Sequence, residues 1–120
     1  MAWNFKNDRP IYAQILEQIE QKIISGEYPA GSRVPSVREL AAEAAVNPNT
    51  MQRAMAELEN RGLIVTNRTS GRTVTDDEGI LENMKNDKAL GYTRDYIEKM
   101  KDLGYGQKEI MELIKKGENE

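Results

Sequence analysis

The chain has 120 residues, room for one compact domain with a short appendage and too few for a separate catalytic or sensor domain. It contains no Cys and no His, which removes thiolate and imidazole nucleophiles, the matching metal ligands and any disulfide framework, so no enzyme and no cofactor is expected. The net charge of −3 is unevenly spread, with +1 on residues 1–75 and −4 on residues 76–120, so the acidic total does not argue against a polyanionic partner for the first part.

The N-terminus, residues 1–6, has no long apolar core, and no later run nears the roughly 20 apolar residues that span a bilayer. A cytoplasmic protein without a membrane partner is expected. Trp3 and Phe5 read as packing anchors. Ile11, Ile15, Ile19 and Ile23 recur every four residues, widened by Leu16 and Ile24, and predict an amphipathic helix over residues 10–25 with Pro10 in its first turn. Gly26 ends it, and Glu27-Tyr28-Pro29-Ala30-Gly31 reads as a loop. The pair Gly26 and Gly31 is not followed by Lys-Ser or Lys-Thr and is no phosphate-binding loop.

Ser36-Val37-Arg38-Glu39 has the hydroxyl and carboxylate spacing of a reciprocal cap and predicts a second helix, apolar at Val37, Leu40, Ala41 and Ala44, ending near Val46. After a tight turn, Asn47 caps a third helix over residues 48–61 with Pro48 at its first position, Met51, Ala54, Met55 and Leu58 on its apolar face, and Gly62 beyond its end. Residues 63–66 and 72–75 are β-prone around a turn at residues 67–71, which predicts a small hairpin. Helix, short helix, tight turn, longer helix, hairpin is the layout of a winged helix-turn-helix domain. The expected fold is therefore mainly α with a small β-hairpin: a DNA-binding domain over residues 1–75 and a helical dimerisation tail over residues 76–120.

In that tail, Asp76, Asp77 and Glu78 read as a solvated first helical turn rather than a metal site. Ile80, Met84, Leu90, Ile97, Met100 and Leu103 mark a long helix weakened at Gly91 and ended by Gly104-Tyr105-Gly106, and Ile110, Met111, Leu113 and Ile114 form a last apolar face. With Tyr96, the first six make a candidate dimer interface, which suits a two-fold protein on two half-sites. Tyr92, Tyr96 and Tyr105 are alternatively an effector pocket, although tyrosine is also an ordinary interface residue.

Four segments, Pro10-Ile11-Tyr12-Ala13-Gln14-Ile15, Gly31-Ser32-Arg33-Val34-Pro35-Ser36-Val37-Arg38-Glu39-Leu40-Ala41, Val46-Asn47-Pro48-Asn49-Thr50-Met51-Gln52-Arg53-Ala54 and Leu58-Glu59-Asn60-Arg61-Gly62-Leu63-Ile64, closely resemble the GntR family of bacterial regulators. The short helical tail resembles the YtrA subgroup. The resemblance implies a homodimer on an inverted-repeat double-stranded DNA operator, usually a repressor, often of its own operon and of a neighbouring ABC transporter. It also implies that Arg38 and polar residues early in the third helix touch DNA. The wing departs from the Gly-x-Gly tip of many relatives, having Ser70-Gly71-Arg72-Thr73.

The chemistry of the residues agrees. A helix N-terminus in the major groove presents Asn49, Thr50, Gln52 and Arg53 to base edges, where Arg forks to guanine and Asn or Gln to adenine. The plainer alternatives are that Asn47 only caps and that Arg53 pairs with a nearby Glu. Arg33 and Arg38 flank a helix start that suits phosphate, Ser36 is a cap whose neighbouring amides can also serve phosphate, and Gly71 and Arg72 in the wing are expected to touch DNA as well. A rival reading from another class is a winged-helix module that binds protein partners.

Overall fold

Three of the four expected isoleucines build the core. Ile15, Ile19 and Ile23 are buried along α1 (Ile11–Ile24) together with Leu16, whereas Ile11, in the first turn, stays 38% exposed. The computed structural model describes residues 3–119. It continues with α2 (Val37–Ala44), α3 (Pro48–Asn60), β1 (Ile64–Asn67), β2 (Gly71–Val74), α4 (Glu78–Asp102) and α5 (Gln107–Glu118). Two compact units meet between Glu82 and Asn83, inside α4.

In the first unit, α1 and α2 both pack on α3, and Leu40, Ala41, Ala44, Met51, Ala54, Met55 and Leu58 close over the isoleucines. Val34, Leu63, Ile64 and Val74 seal the side toward the hairpin. Each large apolar side chain taken fully out of water contributes about 1.5–3 kcal/mol before ordering entropy is set against it. The hairpin is antiparallel with Ile64 opposite Val74 and Asn67 opposite Gly71. A third strand-like segment joins it. Arg33 bridges Thr73, the Val34 N–H donates to the Arg72 carbonyl at 3.0 Å and the Val74 N–H donates to the Ser32 carbonyl at 2.9 Å, so the connection between α1 and α2 is pinned to β2.

The segment before α1 is also tied down. The amide of buried Gln14 donates to the carbonyls of Lys6 and Arg9 and accepts from the Lys6 N–H, and one turn later Gln18 makes the same reciprocal pair with the backbone of Asn4. Trp3 stacks with Phe5 as a packing anchor and also covers the buried ammonium of Lys22, which lies 5.0 Å from the Trp3 ring, 5.6 Å from that of Tyr28 and 2.7 Å from Glu27. A buried ammonium is tolerable only with such compensation. Burial pushes the Tyr28 hydroxyl up to about 12, reinforced by Glu43 and Glu27.

Asp77 opens α4, its carboxylate accepting from the N–H groups of Gly79 and Ile80, which is the cap reading of the acidic cluster. The helix continues unbroken through Gly91. A reversal at Gly104, which sits at φ +96, leads to α5, whose Glu109 carboxylate accepts from the Gly106 N–H. In the second unit Met84 and Ile110 are buried and Ile97, Met100 and Leu113 half-buried, but Leu90, Tyr92, Tyr96 and Leu103 are exposed. Helices α4 and α5 enclose a groove of about 350 Å³ lined by Tyr96, Ile97, Ile110, Met111 and Ile114 among others. Of the three tyrosines Tyr96 lines this groove, and Tyr92 and Tyr105 do not. No helix among the described residues is long and apolar enough to cross a membrane.

Candidate nucleic-acid interface

The turn between α2 and α3 is short because Ala45 adopts the left-handed conformation at φ 56, which lets the chain reverse while the Val46 N–H donates back to the Ala41 carbonyl at 3.0 Å. Asn47 then starts α3, its side-chain oxygen accepting from the Asn49 N–H at 2.8 Å. The Asn47 amide nitrogen keeps its two donors. Met51, Ala54, Met55 and Leu58 face the core, so the 3.6-residue turn points Asn49, Gln52, Arg53 and Ala56 outward, and all four are exposed. Thr50 lies at the edge, half-buried.

Ser36 and Glu39 form the expected reciprocal cap at the start of α2, with the Ser36 hydroxyl accepting from the Glu39 N–H at 3.1 Å and the Glu39 carboxylate accepting from the Ser36 N–H at 3.3 Å. The hydroxyl proton of Ser36 is not used by that cap and can be donated to an anion. Arg38 is exposed in the first turn of α2. Arg33, Ser36, Gly71 and Arg72 come together around an open cleft of about 330 Å³ between the start of α2 and the wing. Gly71 is at φ +74, a conformation L side chains rarely adopt, and the Arg33 guanidinium lies against it, 3.7 Å from where a Cβ would sit.

The arginines of this unit divide into two sets. Arg9 is paired with Glu17, Arg61 with Glu57 and Glu20, and Arg72 with Glu59, a link that ties the wing to α3. Among the described residues no carboxylate lies within ion-pair distance of Arg33, Arg38, Arg53 or Arg68, the last in the wing turn. Arg53 does not take the Glu partner that was its alternative in the sequence. Its guanidinium lies over the ring of Tyr12 on α1, 4.9 Å from the centroid. Tyr12 and Glu59 are the residues that sequence reasoning passed over. Tyr12 stands off the isoleucine stripe, and Glu59 is separated from Arg72 by 13 positions, so neither has a periodic signal.

The profile of the bacterial regulatory proteins of the gntR family matches residues 11–74, more than half of the chain. The chain belongs to the GntR family. An uncharacterised helix-turn-helix regulator of Bacillus subtilis, YhcF, is 35% identical over 92% of each chain. The transcriptional repressor YtrA of Bacillus subtilis is 39% identical over 59% of this chain, which spans only 55% of that relative. Among solved structures, a GntR-family regulator from Listeria monocytogenes is 42% identical with a TM-score of 0.86, covering 93% of this chain and 98% of that one. The DNA-binding domain of AraR in complex with its operator is 26% identical with a TM-score of 0.54, over 60% of this chain and 93% of that one.

This GntR member is thus a DNA-binding transcription regulator with a mainly helical winged fold, and not an enzyme. The sequence expectation of a GntR fold with YtrA-like relatives holds.

Proposed function

We propose that the protein is a homodimeric repressor that works in the cytoplasm and reads an inverted-repeat operator through residues 1–75, with residues 76–120 joining the two copies. Asn49, Gln52 and Arg53 read base edges, Asn47 and Thr50 support them, and Arg33, Ser36, Arg38 and Gly71 hold phosphates beside the wing. The observation that carries this reading is the division of the arginines. Arg9 and Arg61 are neutralised by carboxylates away from the outward face of α3 and the start of α2, Arg72 is the one paired guanidinium beside the start of α2, and the unpaired Arg33, Arg38 and Arg53 lie on or beside those surfaces. Leaving a charge unpaired is useful where a polyanion supplies the partner. Arg72, held by Glu59, enters the proposal as the residue that sets the wing. Repression is proposed from the YtrA repressor of Bacillus subtilis, and operator binding from the AraR complex.

The test is selection of duplexes from a randomised pool by the full chain, followed by anisotropy titration of the enriched duplex and a scramble over a salt series. The expected result is enrichment of two half-sites in inverted orientation and binding at least about 10³-fold tighter than to the scramble. A pool without enrichment would remove sequence-specific readout.

A further inference from the structure

Arg53 has no hydrogen bond or ion pair to any described residue, and its one specific neighbour is the face of Tyr12 at 4.9 Å. A guanidinium held over an aromatic face by its charge keeps its five N–H donors for other partners, while the ring beneath it restricts where it can move. Arginine otherwise carries about 2 kcal/mol of rotamer entropy, and a support that restricts it before contact reduces the ordering needed on binding. Tyr12 is suited to this task. It stands on α1, a helix fixed to α3 by the buried core and by the Arg61–Glu20 pair, so the ring's position relative to α3 is set by the fold.

We infer that Tyr12 is a specificity-determining residue that never touches a base: its ring positions Arg53 for forked hydrogen bonding to one base, conveying the position of α1 into the DNA readout. The inference rests on the reading of Arg53 as a base contact. Discrimination at the base opposite Arg53 then depends on a residue 41 positions away and on a different helix.

The experiment uses the full chain and the duplex that the wild-type protein enriches from a randomised pool, with affinities and a single-base preference profile measured for each variant. Tyr12→Leu keeps apolar bulk without the aromatic face and should weaken binding about 2–5-fold, flattening the preference at the same base that Arg53→Ala flattens. Tyr12→Phe keeps the face and should bind as wild type. In the Arg53→Ala background Tyr12→Leu should cost nothing further. Arg53→Lys, on an exposed position that does not threaten folding, keeps the charge but loses the planar fork of donors and should flatten the same base. If Arg53→Ala leaves affinity and profile unchanged, the reading of Arg53 itself falls and the inference with it. If Arg53→Ala flattens one base while Tyr12→Leu leaves the profile intact, weakens every sequence alike or adds fully to Arg53→Ala, the positioning role is overturned and the base contact stands. Equal losses for Tyr12→Phe and Tyr12→Leu would overturn the role of the ring face.

Discussion

Two kinds of polar residue meet at the proposed DNA surface, and substitution should separate them. Arg38 extends from the first turn of α2, where backbone N–H groups already favour an anion, and its charge is unpaired. On the proposed reading it holds a phosphate, so Arg38→Ala should weaken specific and scrambled duplexes by similar factors and lower the slope of log affinity against log salt by about one. Gln52 projects from the outward face of α3, where an amide can pair in two places with adenine. Gln52→Ala should cost about 1–3 kcal/mol at one base position and leave the salt slope in place. Anisotropy titrations of both variants over salt, on the enriched duplex and its single-base variants, measure both quantities. A uniform loss for Gln52→Ala would move it to the phosphate class. Neither substitution touches the buried core, so folding stability should stay within about 0.5 kcal/mol.

At the scale of elements, the reversal between α2 and α3 depends on Ala45 in a left-handed conformation that costs an L residue roughly 1–2 kcal/mol, a position glycine would fill without strain. Glycine adds about 0.4–1 kcal/mol of unfolded-state entropy, so Ala45→Gly should gain a net amount of about 0.5 kcal/mol, or roughly 2–4 °C in Tm, by thermal unfolding. A lowered Tm would mean that the alanine methyl contributes packing that outweighs the strain. The helices around this turn are legible in the sequence because each carries its own signal: the isoleucine spacing of α1, the Ser36–Glu39 cap of α2, and Asn47-Pro48 at the start of α3. The candidate site is legible to the same extent, since outward Asn49, Gln52 and Arg53 follow from the apolar positions between them. What the sequence hides are contacts between elements. The bridge at Arg33 is too short to show alternation, the Gln14 and Gln18 amides look like ordinary polar helix positions until they meet the backbone of residues 4–9, and the partners of Arg53 and Arg72 are chosen by how α1, α3 and the hairpin pack.

At the scale of the whole molecule, the second unit leaves large apolar side chains of α4 exposed. Helix α4 has 25 residues, a length of about 37 Å, and along its middle Leu90 is 41%, Tyr92 67% and Tyr96 38% exposed. Isolated helix is marginal in water and gains most of its stability by packing an apolar face. The occupant we propose is α4 of a second copy, because two copies also present two reading heads to an inverted repeat. The wild-type protein should therefore sediment at twice its 13.6 kDa, and Leu90→Glu, which places a carboxylate at that exposed leucine, should shift it toward 13.6 kDa. On DNA the consequence is one of effective concentration. When two heads are joined, the second half-site binds intramolecularly, so separating them should reduce affinity for the two-half-site duplex by about 10²–10⁴. A duplex carrying one half-site removes that advantage from the wild type as well, and the variant should bind it nearly as tightly. That control separates loss of the dimer from loss of the fold, since an unfolded variant would fail on both duplexes. A Leu90→Glu protein that remains dimeric and binds the inverted repeat at full strength would place the junction between copies somewhere other than the middle of α4.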